Sequence, residues 1–250
     1  MYTMTQEEFE KLEIVNGRRI CPGRVDYKQV KLFGSNCVFG YECLFNNEST
    51  FGAACTFGPN SLFGVGCSFD DDCVFGSGCM FGVGCMFLKG CELGDACQFG
   101  NGCSFCVGCV FSTSCQLGND CVFGACTFDN DCSFGNSCSF GTCKFDDETW
   151  FGNECRFCNE CQFGDDCQFG NACELGKGSR FGTASSFGHD CRFGRACSFA
   201  DSCQFGNSCW FFSEGYRFGC ACLFGHYCVF ASDVSLSDAS LGNACRFGPK

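Results

Sequence analysis

The sequence has few basic residues and only two histidines, and both shortages limit what the protein can do. Its 250 residues include 16 Lys or Arg against 28 Asp or Glu, a formal net charge of −12. Between Gly34 and Cys143 a single base, Lys89, stands against ten acids. Such a surface repels nucleic acid and membranes. We therefore expect no direct binding to either.

The sequence also lacks a recognisable signal peptide, because its first eight residues are polar and acidic. Thr5 followed by Glu8 predicts a capping box for a short helix. Asn16-Gly17 between two short apolar stretches predicts a hairpin. We expect residues 1–32 to form a cap over the repeat region, 33–248.

The abundant feature is a six-residue repeat, Phe-Gly-x-x-Cys-x, which fills 37 units from Phe33 to Phe247. Of 34 Phe, 32 share one repeat position, and Leu fills the rest: Leu93, Leu117, Leu175, Leu236 and Leu241. Of 32 Cys, 28 lie two residues earlier, where small residues substitute: Ser49, Ser61, Thr149, Ser179, Ser185 and Ala239. Residues two apart on a strand share a face, so Cys and Phe both point inward. A fixed short period predicts a solenoid.

A second periodicity gives three units per coil of 18 residues. The first residue after each Phe-Gly pair, at every third unit, forms a ladder: Asn47, Val65, Val83, Asn101, Asn119, Asn136, Asn153, Asn171, His189, Asn207, His226 and Asn243. The other two corners show no such ladder. Because Asn and His are enriched at positive φ, the ladder predicts left-handed backbone at this corner. The units after Phe123 and Phe140 are one residue short, and the unit after Phe211 is one residue long. All three fall on one other corner of the coil, which also favours three units per coil.

The motif resembles the hexapeptide repeat of left-handed parallel β-helices, with Phe in place of the aliphatic residue and Cys in place of the small one. This resemblance implies an all-β fold, a left-handed triangular parallel β-helix of about 12 coils of 18 residues. A weaker resemblance links the chain to pentapeptide-repeat proteins, some of which combine an acidic rod with inhibition of a DNA enzyme.

The hexapeptide resemblance also implies an alternative function, acyl transfer by a trimer that uses a His near a subunit interface. Here both His belong to the ladder and no long loop interrupts the repeat. His189, next to Asp190, would be the better catalytic candidate. We predict that the protein is not an enzyme.

Acidic residues concentrate at one predicted corner, seven of them in three successive coils: Asp129, Asp131, Asp146, Asp147, Glu148, Asp165 and Asp166. These coils span about 14 Å, so the corner carries about one charge per 2 Å, close to the one per about 1.7 Å of duplex DNA. Two interpretations follow. The acids either keep a Phe-rich solenoid soluble, or they imitate DNA and bind a nuclease or another DNA-binding protein.

Outward apolar residues form a second candidate partner-binding surface. Leu44, Leu62 and Met80 recur on one predicted face and Met86 lies on another. Apolar patches of this kind often mark interfaces. A structural role, as a component of a fibre or particle, remains an alternative that needs no binding site.

The cysteines favour packing over metal binding. Two stretches have spacings typical of zinc or iron–sulfur ligands: Cys103-x-x-Cys106-x-x-Cys109 and Cys155-x-x-Cys158-x-x-Cys161. Successive repeat Cys lie on different sides of the coil, so we expect no metal and no cofactor. Stacked Cys are about 4.8 Å apart, too far for the Cβ separation of about 3.8 Å that disulfides prefer. Free thiols predict a reducing compartment, the cytoplasm.

The last coil carries no cap in this sequence, because the repeat continues to Phe247-Gly248. An uncovered coil presents unpaired backbone groups and apolar side chains. We therefore expect the C-terminal coil to pair with a second copy, giving a homodimer.

Overall fold

The computed structural model describes residues 1–211, 214–231, 234, 236 and 238–248. The chain divides into two units, residues 1–127 and 128–250. Each unit is a parallel β-solenoid of three sheets, and together they contain about 12 coils of about 18 residues. The predicted all-β, triangular solenoid is therefore confirmed.

The N-terminal segment contains five elements: β1 (Tyr2–Thr3), α1 (Gln6–Glu10), β2 (Ile14–Val15), β3 (Arg18–Cys21) and β4 (Val25–Asp26). The capping box between Thr5 and Glu8 is present at the start of α1. Strands β2 and β3 pair antiparallel around Asn16 and Gly17, which have φ of 50° and 77°. The predicted helix and hairpin both form.

This segment joins the repeat region in two ways. The Phe9 ring of α1 lies 5.0 Å from the Phe33 ring, edge to face, so the helix contacts the first ring of the repeat region. Strands β3 and β4 already pair parallel with the first repeat strands, and Cys21 lies opposite Phe39. The sheets thus begin before Phe33, where the repeat itself begins.

The rest of the first unit consists of short strands, each ending at an inward Phe or Leu: β5 (Leu32–Phe33), β6 (Cys37–Phe39), β7 (Leu44–Phe45), β8 (Thr50–Phe51), β9 (Thr56–Phe57), β10 (Leu62–Phe63), β11 (Ser68–Phe69), β12 (Val74–Phe75), β13 (Met80–Phe81), β14 (Met86–Phe87), β15 (Glu92–Leu93), β16 (Gln98–Phe99), β17 (Ser104–Phe105), β18 (Val110–Phe111), β19 (Gln116–Leu117), β20 (Val122–Phe123) and, at the unit boundary, β21 (Thr127–Phe128). Every third strand belongs to the same sheet. Sheet A1 contains β1, β4, β7, β10, β13, β16 and β19; sheet B1 contains β2, β3, β6, β9, β12, β15 and β18; and sheet C1 contains β5, β8, β11, β14, β17 and β20.

The second unit repeats this arrangement with β22 (Ser133–Phe134), β23 (Ser139–Phe140), β24 (Lys144–Phe145), β25 (Trp150–Phe151), β26 (Arg156–Phe157), β27 (Gln162–Phe163), β28 (Gln168–Phe169), β29 (Glu174–Leu175), β30 (Arg180–Phe181), β31 (Ser186–Phe187), β32 (Arg192–Phe193), β33 (Ser198–Phe199), β34 (Gln204–Phe205), β35 (Trp210–Phe211), β36 (Arg217–Phe218), β37 (Leu223–Phe224), β38 (Val229–Phe230), β39 (Ser240–Leu241) and β40 (Arg246–Phe247). Sheet A2 contains β22, β25, β28, β31, β34, β37 and β39; sheet B2 contains β24, β27, β30, β33 and β36; and sheet C2 contains β23, β26, β29, β32, β35, β38 and β40. The shortened unit after Phe140 lies between C2 and B2, as does the lengthened one after Phe211, whose residues 212 and 213 lie outside the described residues.

The core consists of stacked aromatic columns. The Phe51 ring stacks on Phe33 and Phe69, with ring centres 4.5 and 4.9 Å apart. It meets Phe45 and Phe57, on the other two sheets, edge to face at 5.0 Å. Such pairs contribute about 0.5–1.5 kcal/mol each beyond area burial. The Phe repeat therefore fixes both the stacking along each sheet and the contacts between sheets.

The inward Cys position holds a small side chain, and the thiol or hydroxyl there also lies within hydrogen-bonding distance of a corner carbonyl. The Cys55 thiol lies 3.3 Å from the Gly34 carbonyl oxygen of the preceding coil. The Ser61 and Thr149 hydroxyls, which replace Cys, donate to corner carbonyls at 3.0 Å. Tyr216 is a substitution that the repeat did not reveal: its buried hydroxyl donates to the Phe193 carbonyl at 2.7 Å.

Positive φ occurs at a different corner residue from the one expected. The ladder residues do not have it; the next residue does, and it does so at all three kinds of corner. In three successive corners of the second unit, Glu154, Glu160 and Asp166 have φ of 60°, 63° and 55°. The expectation for the Asn ladder is therefore wrong, because the backbone path rather than residue preference sets this angle.

Candidate interaction surfaces

The Asn and His ladder is a hydrogen-bonding device. Asn171 N–H donates to Asn153 Oδ1 at 2.7 Å, and His189 N–H donates to Asn171 Oδ1 at 2.7 Å. In the next coil the acceptor is a His side chain instead of an Asn side chain, because Asn207 N–H donates to His189 Nδ1 at 2.8 Å. Each side chain thus satisfies a backbone donor of the next coil. Gly170 leaves room for this contact, because a Cβ there would lie 2.6 Å from Asn153 Oδ1.

The same device operates on the acidic corner, so the expectation that the other corners lack a ladder is wrong. Asp165 N–H donates to Asp147 Oδ1 at 2.7 Å, and Thr183 N–H donates to Asp165 Oδ1 at 2.6 Å. Asn130 accepts from Asp147 N–H at 3.1 Å. An Asp oxygen serves as well as an Asn oxygen, which concealed the pattern in the sequence. Two of the predicted binding acids therefore also support the backbone.

The structure brings all seven predicted acids to one edge of the second unit, in the three successive corners that follow β21, β24 and β27 and precede strands of A2. We call this set the acidic edge: Asp129, Asp131, Asp146, Asp147, Glu148, Asp165 and Asp166. Asp146 forms an ion pair with Lys144 at 3.2 Å. Asp131, Glu148 and Asp166 occupy the positive-φ position and are exposed. Within the described part of the chain, their carboxylates have no hydrogen bond or ion pair within 4.0 Å.

The predicted apolar residues divide between two faces of the first unit. On A1, Leu62 pairs in register with both Leu44 and Met80, so these three form one ladder. Leu62 and Met80 are 40% and 47% exposed. The following corners add Val65 and Val83, two members of the corner ladder, which are 48% and 49% exposed.

Met86 lies on C1, where its neighbours in register are Ser68 and Ser104. It borders a shallow cavity of about 320 Å³ that Thr50 and Ser68 also line. The cavity exists because small outward residues lie between larger ones. Met86 is therefore not part of the A1 apolar ladder.

The cysteine triplets separate as expected from their alternating sides. Cys103 and Cys109 are buried beside β17 of C1 and β18 of B1, whereas Cys106 between them is exposed. Among the described residues, no group of three or more His, Cys, Asp or Glu has the geometry to hold a metal ion. None of the 32 cysteines forms a disulfide, and all but four are buried. Burial raises the pKa of Cys167 to about 12.

On C2, Arg156, Glu174 and Arg192 lie in register on consecutive strands, as their spacing predicts. The Glu174 carboxylate contacts both neighbours, 3.7 Å from Arg156 Nε and 3.8 Å from Arg192 Nη1. Exposed ion pairs of this kind contribute about 0–1 kcal/mol. The single carboxylate lies between the two cations and adds little stability, and this part of the face keeps a net positive charge.

Neither the helices of the structure nor the comparisons with known proteins indicate a function. Across the described ranges, no helix has the length and apolar character to cross a membrane.

No family model matches the chain, and a search of curated proteins finds no match. Among solved structures, the chain is similar to the TibC-catalyzed hyper-glycosylated TibA fragment, at 8% identity and a TM-score of 0.35, with 92% of this chain and 100% of that chain covered. A likeness this weak carries no functional argument.

Proposed function

We propose that this chain is a non-catalytic, protein-binding solenoid whose acidic edge contacts the DNA-binding surface of a partner protein, such as a nuclease. The observation that supports this proposal is the regular row of free carboxylates on Asp131, Glu148 and Asp166, one per coil. They have no role in the backbone ladder, unlike Asp147 and Asp165.

The charge density of the acidic edge suits a cationic cleft. Stacked coils are about 4.8 Å apart, so seven acids lie within about 14 Å. The Asp146–Lys144 pair offsets one of them. Lys and Arg side chains that bind duplex phosphates at one charge per about 1.7 Å would meet a similar field here. The regular stacking of the coils fixes the positions of these charges, because corner amides donate hydrogen bonds to side chains of the preceding coil.

The inferences about family and location rest on the same features. We infer that the chain is a Phe/Cys form of the hexapeptide-repeat solenoid, since a six-residue unit builds each side of each coil. The analogy with acidic pentapeptide-repeat inhibitors of DNA enzymes supports DNA mimicry by fold likeness alone. Buried free thiols favour a reducing compartment such as the cytoplasm.

The test is a pull-down from the native lysate with a triple variant, Asp131→Asn, Glu148→Gln and Asp166→Asn. Wild type should capture a DNA-binding protein that duplex DNA displaces, and the triple variant should bind it at least tenfold more weakly. Raising the salt from 50 to 200 mM should also release it, because salt screens exposed charges.

A matched control removes three carboxylates from the same repeat position on other edges of the second unit: Glu154→Gln, Glu160→Gln and Asp190→Asn. The control removes three negative charges, as the edge variant does, so a general effect of net charge would weaken binding in both variants. Capture that survives the edge substitutions, or that duplex DNA does not displace, would exclude DNA mimicry and favour binding through the apolar residues of the first unit. No capture by wild type would favour the structural alternative.

A further inference from the structure

A cavity of about 480 Å³ lies on the B2 face of the second unit. Its floor is formed by outward residues of four consecutive strands in register, in the order Gln162, Arg180, Ser198 and Arg217. Glu160 lines one end. The small Ser198 between two long arginines accounts for the depth of the cavity.

The two arginines of this cavity are available to a ligand. Within the described part of the chain, neither guanidinium lies within 4.0 Å of a carboxylate or donates a hydrogen bond. Both side chains are exposed, whereas Ser198 is half-buried. Two cations that face a common space without an anion between them repel each other. An anion placed there would remove that repulsion.

The C2 face of the same unit shows what such an anion would do. There, Arg156 and Arg192 have the same two-strand separation, and the residue between them is Glu174. Its carboxylate lies 3.7 and 3.8 Å from the two arginines. The B2 face thus has the same arrangement of arginines, with Ser198 where C2 has an acid.

We propose that the cavity over Ser198 binds a phosphate group, held between Arg180 and Arg217. A phosphate would occupy the place that corresponds to the Glu174 carboxylate on C2. Its oxygens can accept from both planar guanidinium groups, and the Ser198 hydroxyl supplies a further donor. At the adjoining corners, Lys177 and Arg195 add positive potential and Glu214 reduces it. Glu160 opposes binding from one end of the cavity.

The test is a calorimetric titration of the full chain with inorganic phosphate at low ionic strength. We expect saturable binding at one site, weakened at least fivefold by Arg180→Gln or Arg217→Gln. Ser198→Glu should weaken it at least tenfold, because the new carboxylate would occupy the space as Glu174 does on C2. Glu160→Gln should strengthen it, because a repulsive charge is removed.

Arg192→Gln is the matched control, since Arg192 already pairs with Glu174. It should leave phosphate binding unchanged. A phosphoserine peptide that binds tenfold tighter than inorganic phosphate, with the same response to the variants, identifies a phosphorylated protein as the source. Equal binding identifies a small phosphate. No binding by wild type, full binding by Ser198→Glu, or equal losses in the Arg192 control would overturn the proposal.

Discussion

Replacing Asn171 with Ala tests whether the side-chain ladder supports the backbone. The substitution removes Oδ1, the acceptor 2.7 Å from the His189 amide. A hydrogen bond of this kind contributes about 0.5–1.5 kcal/mol net. At about 1 kcal/mol, hydrogen exchange of the His189 amide should quicken about fivefold. The melting temperature should fall by about 2–4 °C.

Two further substitutions make the result specific. Asn171→Asp keeps an acceptor oxygen, as Asp165 does natively for the Thr183 amide, so it should preserve slow exchange. Asn171→Val reproduces the residue type found at Val65 and Val83 and should behave as Ala does. Mass-spectrometric or NMR hydrogen exchange gives the local readout. Unchanged His189 exchange in the Ala variant, or equal exchange in the Ala and Asp variants, would refute the ladder argument.

Two predictions concern the thiols. A brief treatment of the native protein with a thiol reagent at pH 8 should modify Cys106, Cys158 and Cys220, the exposed ones, and leave the buried thiols unmodified until unfolding; mass spectrometry counts the labels. Stability should also fall as pH rises from 9 to 12. Burial raises the pKa of Cys167 from 9.0 to about 12, so in that window the unfolded chain has lost a proton that the folded chain keeps. Denaturant titration should show this fall in the free energy of unfolding, and Cys167→Ser should make the fall smaller. Equal stability at pH 8 and pH 11 would contradict the prediction.

The sequence predicts the sheets well because two short periods act together. A period of two places Phe51 and its preceding Ser49 inside while Thr50 points out, as the burial shows. A period of 18 then decides which residues stack, so the pairing of Leu62 with Leu44 and Met80 follows directly. Neither inference depends on a particular side-chain conformation. Both therefore hold whether the inward residue is Phe or Leu.

The corners could not be predicted as well, because residue type there reflects two requirements at once. Positive φ is forced by the turn, and residues as different as Ala172 and Glu154 adopt it. The preceding residue supplies an acceptor to the next coil, a role open to Asn, Asp or His. The arginine cavity was missed for a different reason. It depends on the absence of an acid at Ser198, which no motif records.

These requirements divide the repeat into positions that serve the fold and positions that have no such role. The inward Phe and Cys positions fill the core, and the first variable corner residue supports the backbone wherever it is Asn, Asp or His. Two outward positions remain without such a role. The first is the strand residue between the inward Cys and the inward Phe, and the second is the corner residue with positive φ. The free acids Asp131, Glu148 and Asp166 lie at the second of these, and Arg180 and Arg217 at the first. Substitution at either position should therefore change the proposed binding with little loss of stability.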